Sequence, residues 1–161
     1  MINIEQALPD LAVTMIRDNL SAIPHVDFPP GYTIRAYRPD DVAHWLHLHR
    51  IGDPFNDDDL FTEAYFAKQF GTDSARLQSR MFYVESASGE VAGGISAWFT
   101  NEQPARGRIH WVIVHPDHRR RGLTRPMMVF IVVLLPDALP PSRQTISPCL
   151  TSSDTPPSAI I

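Results

Sequence analysis

The segment IHWVIVHPDHRRRGLTR, residues 109–125, passes from an apolar run directly into an arginine-rich turn. The apolar run predicts a β-strand over residues 108–114, and the pair His115 and Pro116 ends it. From Leu123 the pattern predicts a helix, in which Pro126 takes an early position where its missing N–H costs little. The sequence therefore predicts a strand, a short loop and a helix in direct succession.

The start of this predicted helix suits an anion. The first turn of a helix has unpaired N–H groups and a partial positive charge, which together favour a phosphate or pyrophosphate. Gly122 has no Cβ, so a phosphate could approach the backbone there. Four arginines at positions 119, 120, 121 and 125 could pair with anionic oxygens. The alternative is an exposed arginine run on a solvated turn; the strand, glycine and helix start together favour the anion site.

The rest of the chain divides into three parts. Residues 1–30 are predicted to form an amphipathic helix at 4–20 and a proline-rich linker. Residues 31–135 are predicted to form the folded domain. Its predicted strands are at residues 32–37, 81–86 and 90–100, and its predicted helices are at residues 38–50, 60–70 and 76–80. Residues 136–161 hold six of the 15 prolines and no glycine or aromatic residue, which predicts a disordered tail.

Composition narrows the function classes. The chain has 161 residues and a net charge of −4, which disfavours nucleic acid as the main partner. Its single cysteine, Cys149, excludes an internal disulfide or a cysteine-based metal site. The longest apolar run, residues 127–135, is far shorter than the ~20 residues that span a bilayer. We expect no membrane partner, and because the first residues lack a secretory pattern we expect a cytoplasmic location.

Residues 109–128 resemble the acyl-CoA-binding signature of the GNAT superfamily of N-acyltransferases. That pattern is Gln or Arg, two residues, Gly, one residue, then Gly or Ala, after a strand ending Val-x-Pro. Arg119 and Gly122 match it, while Thr124 stands where Gly or Ala is usual. The predicted order of strands and helices over residues 31–135 also matches. The resemblance implies an α/β, GNAT-like fold with a mixed, mostly antiparallel sheet flanked by helices.

The resemblance also implies a site and a reaction. The strand backbone would pair with the pantetheine arm of the cofactor, and the loop with the helix start would hold its pyrophosphate. The implied reaction is the transfer of an acetyl group from acetyl-CoA, the co-substrate, to a primary amine. The resemblance implies no metal in this reaction. It is also consistent with a homodimer. The implied cofactor-binding residues are Val112, Ile113, Val114, Arg119, Arg120, Arg121, Gly122, Leu123, Thr124 and Arg125.

A base for this reaction is sought among titratable side chains. His110 is the candidate, because strand periodicity predicts that it shares a face with Val112 and Val114. A hydrogen-bonded structural histidine is the equal alternative, and Glu85 on the predicted hairpin is a weaker candidate base. The histidines at 44, 47 and 49 do not share one helix face, which favours a solvated polar surface over a metal site. The tryptophans at 45, 98 and 111 are expected in the core.

The sequence departs from the family after the signature helix. The family continues with a strand, a helix that often carries a tyrosine acid, and further strands, whereas here no tyrosine follows Tyr83. We therefore expect an incomplete C-terminal part, from a truncated or frameshifted reading after about residue 135. An alternative function is then a non-catalytic acyl-CoA-binding remnant or interaction module. A third alternative function is contact with an anion or a nucleic acid through the arginine cluster, and the negative net charge argues against it.

Overall fold

A computed structural model of the chain describes residues 22–53, 60–99 and 107–138. The predicted helix at residues 4–20 and the tail from residue 139 lie outside these ranges. The strands are β1 (Tyr32–Ala36), β2 (Met81–Ser86), β3 (Val91–Phe99) and β4 (Gly107–Val114). The helices are α1 (Asp41–Gly52), α2 (Glu63–Phe70), α3 (Ser74–Arg80) and α4 (Thr124–Ala138), and a 3-10 turn at Pro116–His118 follows β4. The predicted elements of residues 31–135 are thus all present.

The four strands form one sheet in chain order, β1-β2-β3-β4, with every neighbouring pair antiparallel. This matches the predicted GNAT-like, mostly antiparallel sheet. Within the described ranges β4 pairs with β3 on one side only, so it is an edge strand. No helix in those ranges is both long and apolar enough to cross a bilayer.

Helices cover both faces of the sheet. The alternation along β2 divides the core: Phe82 and Val84 face α4, whereas Met81 and Tyr83 face the layer of α1, α2 and α3. The core on the α4 side includes Ile95, Ile109, Val112, Met127 and Ile131. The core on the other side includes Trp45, Leu48, Phe61, Phe66, Phe70 and Trp111. The prediction that the three tryptophans pack in the core is confirmed for Trp45 and Trp111, while Trp98 is half-buried against the same cluster.

Local chemistry sets several element ends. The hydroxyl of Thr62 accepts the N–H of Tyr65 at 3.1 Å, so α2 begins at Glu63 and not at the predicted residue 60. Helix α4 continues to Ala138, three residues past the predicted boundary at 135. The helix includes Pro136, which lies in its last turn.

A β-bulge interrupts β4. Ser96 pairs with His110 and Gly94 with Ile113, so two residues of β4, Trp111 and Val112, lie opposite the single residue between Gly94 and Ser96. Trp111 has φ +53°, in the left-handed region that a bulky residue rarely adopts.

The bulge reverses the direction of side chains along β4. Ile109 and Val112, three residues apart, both pack on the α4 side, while Trp111 packs on the other side. The ring of His110 contacts Phe70 and Trp111, at centroid distances of 6.1 and 5.0 Å. The prediction that His110 shares a face with Val112 and Val114 is therefore wrong, because the extra residue of the bulge interrupts the alternation of side chains between the two faces of the sheet.

Candidate functional site

The loop after β4 and the first turns of α4 enclose a surface pocket of about 550 Å³. Seven of the ten residues implied as cofactor-binding line it, and Val112, Ile113 and Arg121 do not. Two further lining residues, His118 and Met128, were not predicted. The full lining is Val114, His118, Arg119, Arg120, Gly122, Leu123, Thr124, Arg125 and Met128.

Backbone donors are available at this pocket. The first hydrogen bond of α4 runs from the N–H of Met127 to the carbonyl of Leu123, at 3.2 Å. In the described ranges no protein group accepts the N–H groups of residues 122–125. Since the N-terminus of a 15-residue helix also carries a partial positive charge, these four donors suit an anion.

The loop backbone is curved by two left-handed residues, Arg120 with φ +59° and Gly122 with φ +80°. Left-handed residues within a loop gather backbone N–H groups into a concave anion site. Among the described residues, a Cβ on Gly122 would have only Pro29 Cγ within 4 Å, at 3.9 Å. The glycine is therefore favoured by its backbone conformation and not by a lack of space in the protein.

Arg119 is held by the protein itself. Its Nη2 donates to the carbonyl of Gly52 at 2.5 Å and its Nε to the carbonyl of Val114 at 3.3 Å. The side chain thus fastens the loop to the end of α1. Arg120 and Arg125 are exposed and form no ion pair in the part of the chain that the structure describes.

A hydrogen-bonded series orients Arg121. Its Nη1 donates to the Tyr32 hydroxyl at 3.1 Å, and that hydroxyl lies 2.8 Å from His118 Nδ1. The other ring nitrogen, Nε2, lies 3.1 Å from Glu90 Oε2. Sequence reasoning missed Tyr32, His118 and Glu90, because their contacts join positions far apart in the chain.

The strand that leads into the pocket presents an open edge. The side chains of Val112 and Ile113 point to opposite faces of the sheet, and both are buried. The outer backbone edge of β4 has no partner strand in the described ranges. An extended ligand could pair there as a further strand does.

His110 is buried, and its Nδ1 lies 2.7 Å from Arg108 Nη2. Burial, with the charge of Arg108 and the nearby His49, holds the pKa of His110 well below its usual range. The ring is therefore neutral at pH 7. Because a guanidinium can only donate, Nδ1 accepts and the proton of the neutral ring lies on Nε2.

Glu85 is part of a network of ion pairs. It contacts the Arg35 guanidinium and lies 3.4 Å from Arg38 Nη1, while Arg35 also binds Asp41 at 2.6 and 2.8 Å. The hydrogen bonds that Arg35 donates to Asp41 and to Glu85 raise the pKa of its guanidinium. Glu85 lies on β2, and β3 separates β2 from β4.

His49 differs from the other histidines of α1. His44 and His47 are exposed as predicted, but His49 is 1% exposed, and neither ring nitrogen has a partner within the described ranges. Its ring packs on Trp45 and Trp111, at centroid distances of 4.3 and 4.9 Å. The predicted solvated surface is wrong for His49, because its position on α1 faces the sheet. Burial lowers its pKa to about 3.

This burial predicts sensitivity to acid. The pKa of His49 is about 3 in the folded chain and about 6.5 when unfolded, so the unfolded state takes up the proton first. The free energy of unfolding should fall between pH 7 and pH 4.5 by roughly 2–3 kcal/mol from this group. Urea unfolding of the parent and of His49→Leu at pH 7 and at pH 4.5 measures this contribution. The free energy of unfolding should fall less in His49→Leu than in the parent, by roughly 2–3 kcal/mol. An equal fall in both proteins would contradict it.

A model of the acetyltransferase (GNAT) family matches residues 34–132, which is more than half of the chain. No curated protein matches the chain.

Solved structures share the fold. A GCN5-related N-acetyltransferase from Sphaerobacter thermophilus is 19% identical with a TM-score of 0.55, over 91% of this chain and 43% of that one. A tandem GNAT protein of the clavulanic acid biosynthesis pathway is 19% identical with a TM-score of 0.58, over 89% and 45%. A GCN5-related N-acetyltransferase from Kribbella flavida is 17% identical with a TM-score of 0.53, over 67% of each chain. The chain thus spans less than half the length of the first two structures.

Proposed function

Because the chain belongs to the acetyltransferase (GNAT) family, we propose that it is an N-acetyltransferase that moves an acetyl group from acetyl-CoA to a primary amine. One observation carries the proposal. An edge strand leads into a pocket in which four consecutive backbone N–H groups lack an acceptor among the described residues. A ligand with an extended arm and a pyrophosphate is complementary to that arrangement.

Acetyl-CoA would bind along this path. Its pyrophosphate would accept hydrogen bonds from the N–H groups of residues 122–125, at the positive end of α4. The exposed guanidiniums of Arg120 and Arg125 would add charge. The pantetheine arm would pair with the outer edge of β4 at Val112, Ile113 and Val114. Arg119 and Arg121 act as positioning residues, because protein groups already hold both side chains.

The chemical step needs a base. The amine nitrogen attacks the thioester carbonyl carbon, the C–S bond breaks, and the CoA thiolate leaves while a base takes the amine proton. His110 is proposed as that base because it is neutral at pH 7 and lies on β4. Its Nδ1 already accepts a hydrogen bond from Arg108. Proton uptake therefore requires Arg108 to turn away from Nδ1.

A second function, binding of acyl-CoA without catalysis, is favoured by the same hydrogen bond. With Nδ1 engaged by Arg108 and the proton on Nε2, the neutral His110 ring has no free lone pair. In that case the pocket binds the cofactor while the chain transfers nothing. Binding and turnover assays separate the two functions.

Thiol release tests the proposed transfer. The purified chain is incubated with acetyl-CoA and a panel of small primary amines and N-terminal peptides, and free CoA thiol is measured. The proposal predicts release that depends on the amine and saturates with acetyl-CoA. A chain that acetyl-CoA stabilises against thermal unfolding, but that releases thiol with none of the amines, would support the binding function.

A further inference from the structure

We propose that Glu90, His115 and His118 form a binding site for a divalent transition metal such as Zn²⁺. His47 of α1 lies beside this site, with its ring centroid 6.0 Å from that of His115. A metal site here goes beyond the proposed acetyl transfer, for which no metal is expected. Each residue offers one ligand atom, and the three atoms all lie within 4.8 Å of one another. Two imidazoles and one carboxylate form a ligand set that Zn²⁺ takes in proteins.

The distances fit coordination with small side-chain rotations. His118 Nε2 and Glu90 Oε2 are 3.1 Å apart. Two ligands at about 2.0–2.2 Å from one tetrahedral ion lie about 3.4 Å from each other. The rings of His115 and His118 meet edge to face at 5.6 Å, so both can turn a nitrogen toward the same point.

The backbone holds the three residues in place. Glu90 is the last residue of the turn before β3, and His115 follows β4 directly. The N–H of His115 donates to the carbonyl of Ala92 at 2.9 Å, which continues the pairing of β3 with β4. His118 ends the 3-10 turn, and its N–H donates to the carbonyl of His115 at 2.9 Å. The site is therefore built on paired strands and a short helical turn.

A second layer of contacts orients the buried ligand. The Tyr32 hydroxyl lies 2.8 Å from His118 Nδ1, which leaves Nε2 to face Glu90. Histidines that bind metals usually engage a partner through the other ring nitrogen, which fixes the tautomer and the ring orientation. His118 is 7% exposed, so Tyr32 and the fold restrict its ring before any ion arrives.

The local charge is compatible with a dication. Glu90 supplies one carboxylate, and Asp117 places a second one 4.0 Å from His115 Nδ1. The guanidinium of Arg121 donates to Tyr32, and so sits beyond the Nδ1 side of His118, away from Glu90. A bound ion would join the β2–β3 turn to the segment that precedes the pocket loop.

Metal binding is measured with Zn²⁺ on the full chain after treatment with a chelator, by competition with a chromophoric zinc indicator. We expect one equivalent to bind, and we expect His115→Ala and Glu90→Gln each to weaken binding at least tenfold. Tyr32→Phe, which removes only the orienting hydroxyl, should weaken it about tenfold. His44→Ala removes an exposed histidine elsewhere on the domain, and Cys149→Ser removes the single thiol; both should bind Zn²⁺ as the parent does.

Absorption of the Co²⁺-loaded chain gives a second readout, with visible bands of a four-coordinate site that are absent in His115→Ala. Circular dichroism of the metal-free variants shows whether each one folds. Equal Zn²⁺ affinity in the parent, His115→Ala and Glu90→Gln would overturn the proposal, and so would loss of binding in Cys149→Ser alone. In either case the contact of His118 with Glu90 is an ordinary hydrogen bond or ion pair.

Discussion

Gly122→Asp is expected to abolish acetyl-CoA binding, whereas Gly122→Asn should retain most of it. Position 122 has φ +80° and room for a Cβ, and asparagine and aspartate tolerate this backbone conformation better than other residues with side chains. The two variants have nearly the same size, so they differ mainly in charge. A carboxylate about 4 Å from a phosphate charge costs about 4 kcal/mol at an effective dielectric constant of about 20, or about a thousandfold in affinity.

Isothermal titration of both variants with acetyl-CoA measures this difference, and thermal unfolding monitored by circular dichroism confirms that both fold. A similar loss in both variants would mean that the backbone conformation, and not the charge, matters at residue 122. Unchanged affinity in Gly122→Asp would place the pyrophosphate away from the start of α4.

His110→Gln is expected to lower the rate of acetyl transfer by about 10²–10⁴-fold, the usual range for a lost general base. The acetyl-CoA dissociation constant should stay within about threefold of the parent, because residue 110 does not line the pocket. Glutamine keeps a polar side chain that can still accept a hydrogen bond from Arg108. Single-turnover rates and titrations on the same preparation separate these effects.

Arg108→Gln is the matched variant for this test. This substitution removes a positive charge that lowers the pKa of His110. The pKa of His110 should therefore rise, and the pH at which the rate reaches half its maximum should move to a higher value. Full activity in His110→Gln would identify His110 as a structural histidine. A lost rate in His110→Gln, with an unmoved pH profile in Arg108→Gln, would mean that His110 acts through packing.

The elements of the fold were predictable because each one has a local signal. The turn between β2 and β3 contains Gly89 with φ +82°. Residues 81–84 form a continuous apolar run, which is typical of a strand buried on both faces. The loop and helix start after β4 were predictable for the same reason, since proline, glycine and the apolar run mark their ends. The comparison with the GNAT family confirms the fold that these patterns implied.

The bulge in β4 was not predictable from the sequence. The pattern of polar and apolar side chains at residues 109–114 gives no sign of the extra residue of a bulge. Tryptophan is also unfavourable at φ +53°, the value observed at Trp111. The bulge is visible only in the pairing of β3 with β4, whose register shifts between Gly94 and Ser96. This tertiary feature moved His110 to the face opposite the one predicted.

Contacts of side chains with groups far away in the chain were also not predictable from the sequence. Arg119 matches the anion-binding motif, yet its guanidinium binds the carbonyl of Gly52, 67 residues away. Tyr32 reaches His118 across 86 residues. Such contacts depend on how α1 and β1 lie against the loop after β4, and no local pattern encodes that placement.

Titration of the full chain with acetyl-CoA and with acetyl-pantetheine, which lacks the pyrophosphate and the 3′-phosphoadenosine, tests the central claim most directly. We expect acetyl-CoA to bind with one-to-one stoichiometry and a dissociation constant between about 1 µM and 1 mM. Acetyl-pantetheine should bind at least about tenfold more weakly, because each lost hydrogen bond to a charged group is worth about 1.5–3 kcal/mol. Equal affinity for the two ligands, or no binding of acetyl-CoA, would contradict a pyrophosphate site at residues 122–125.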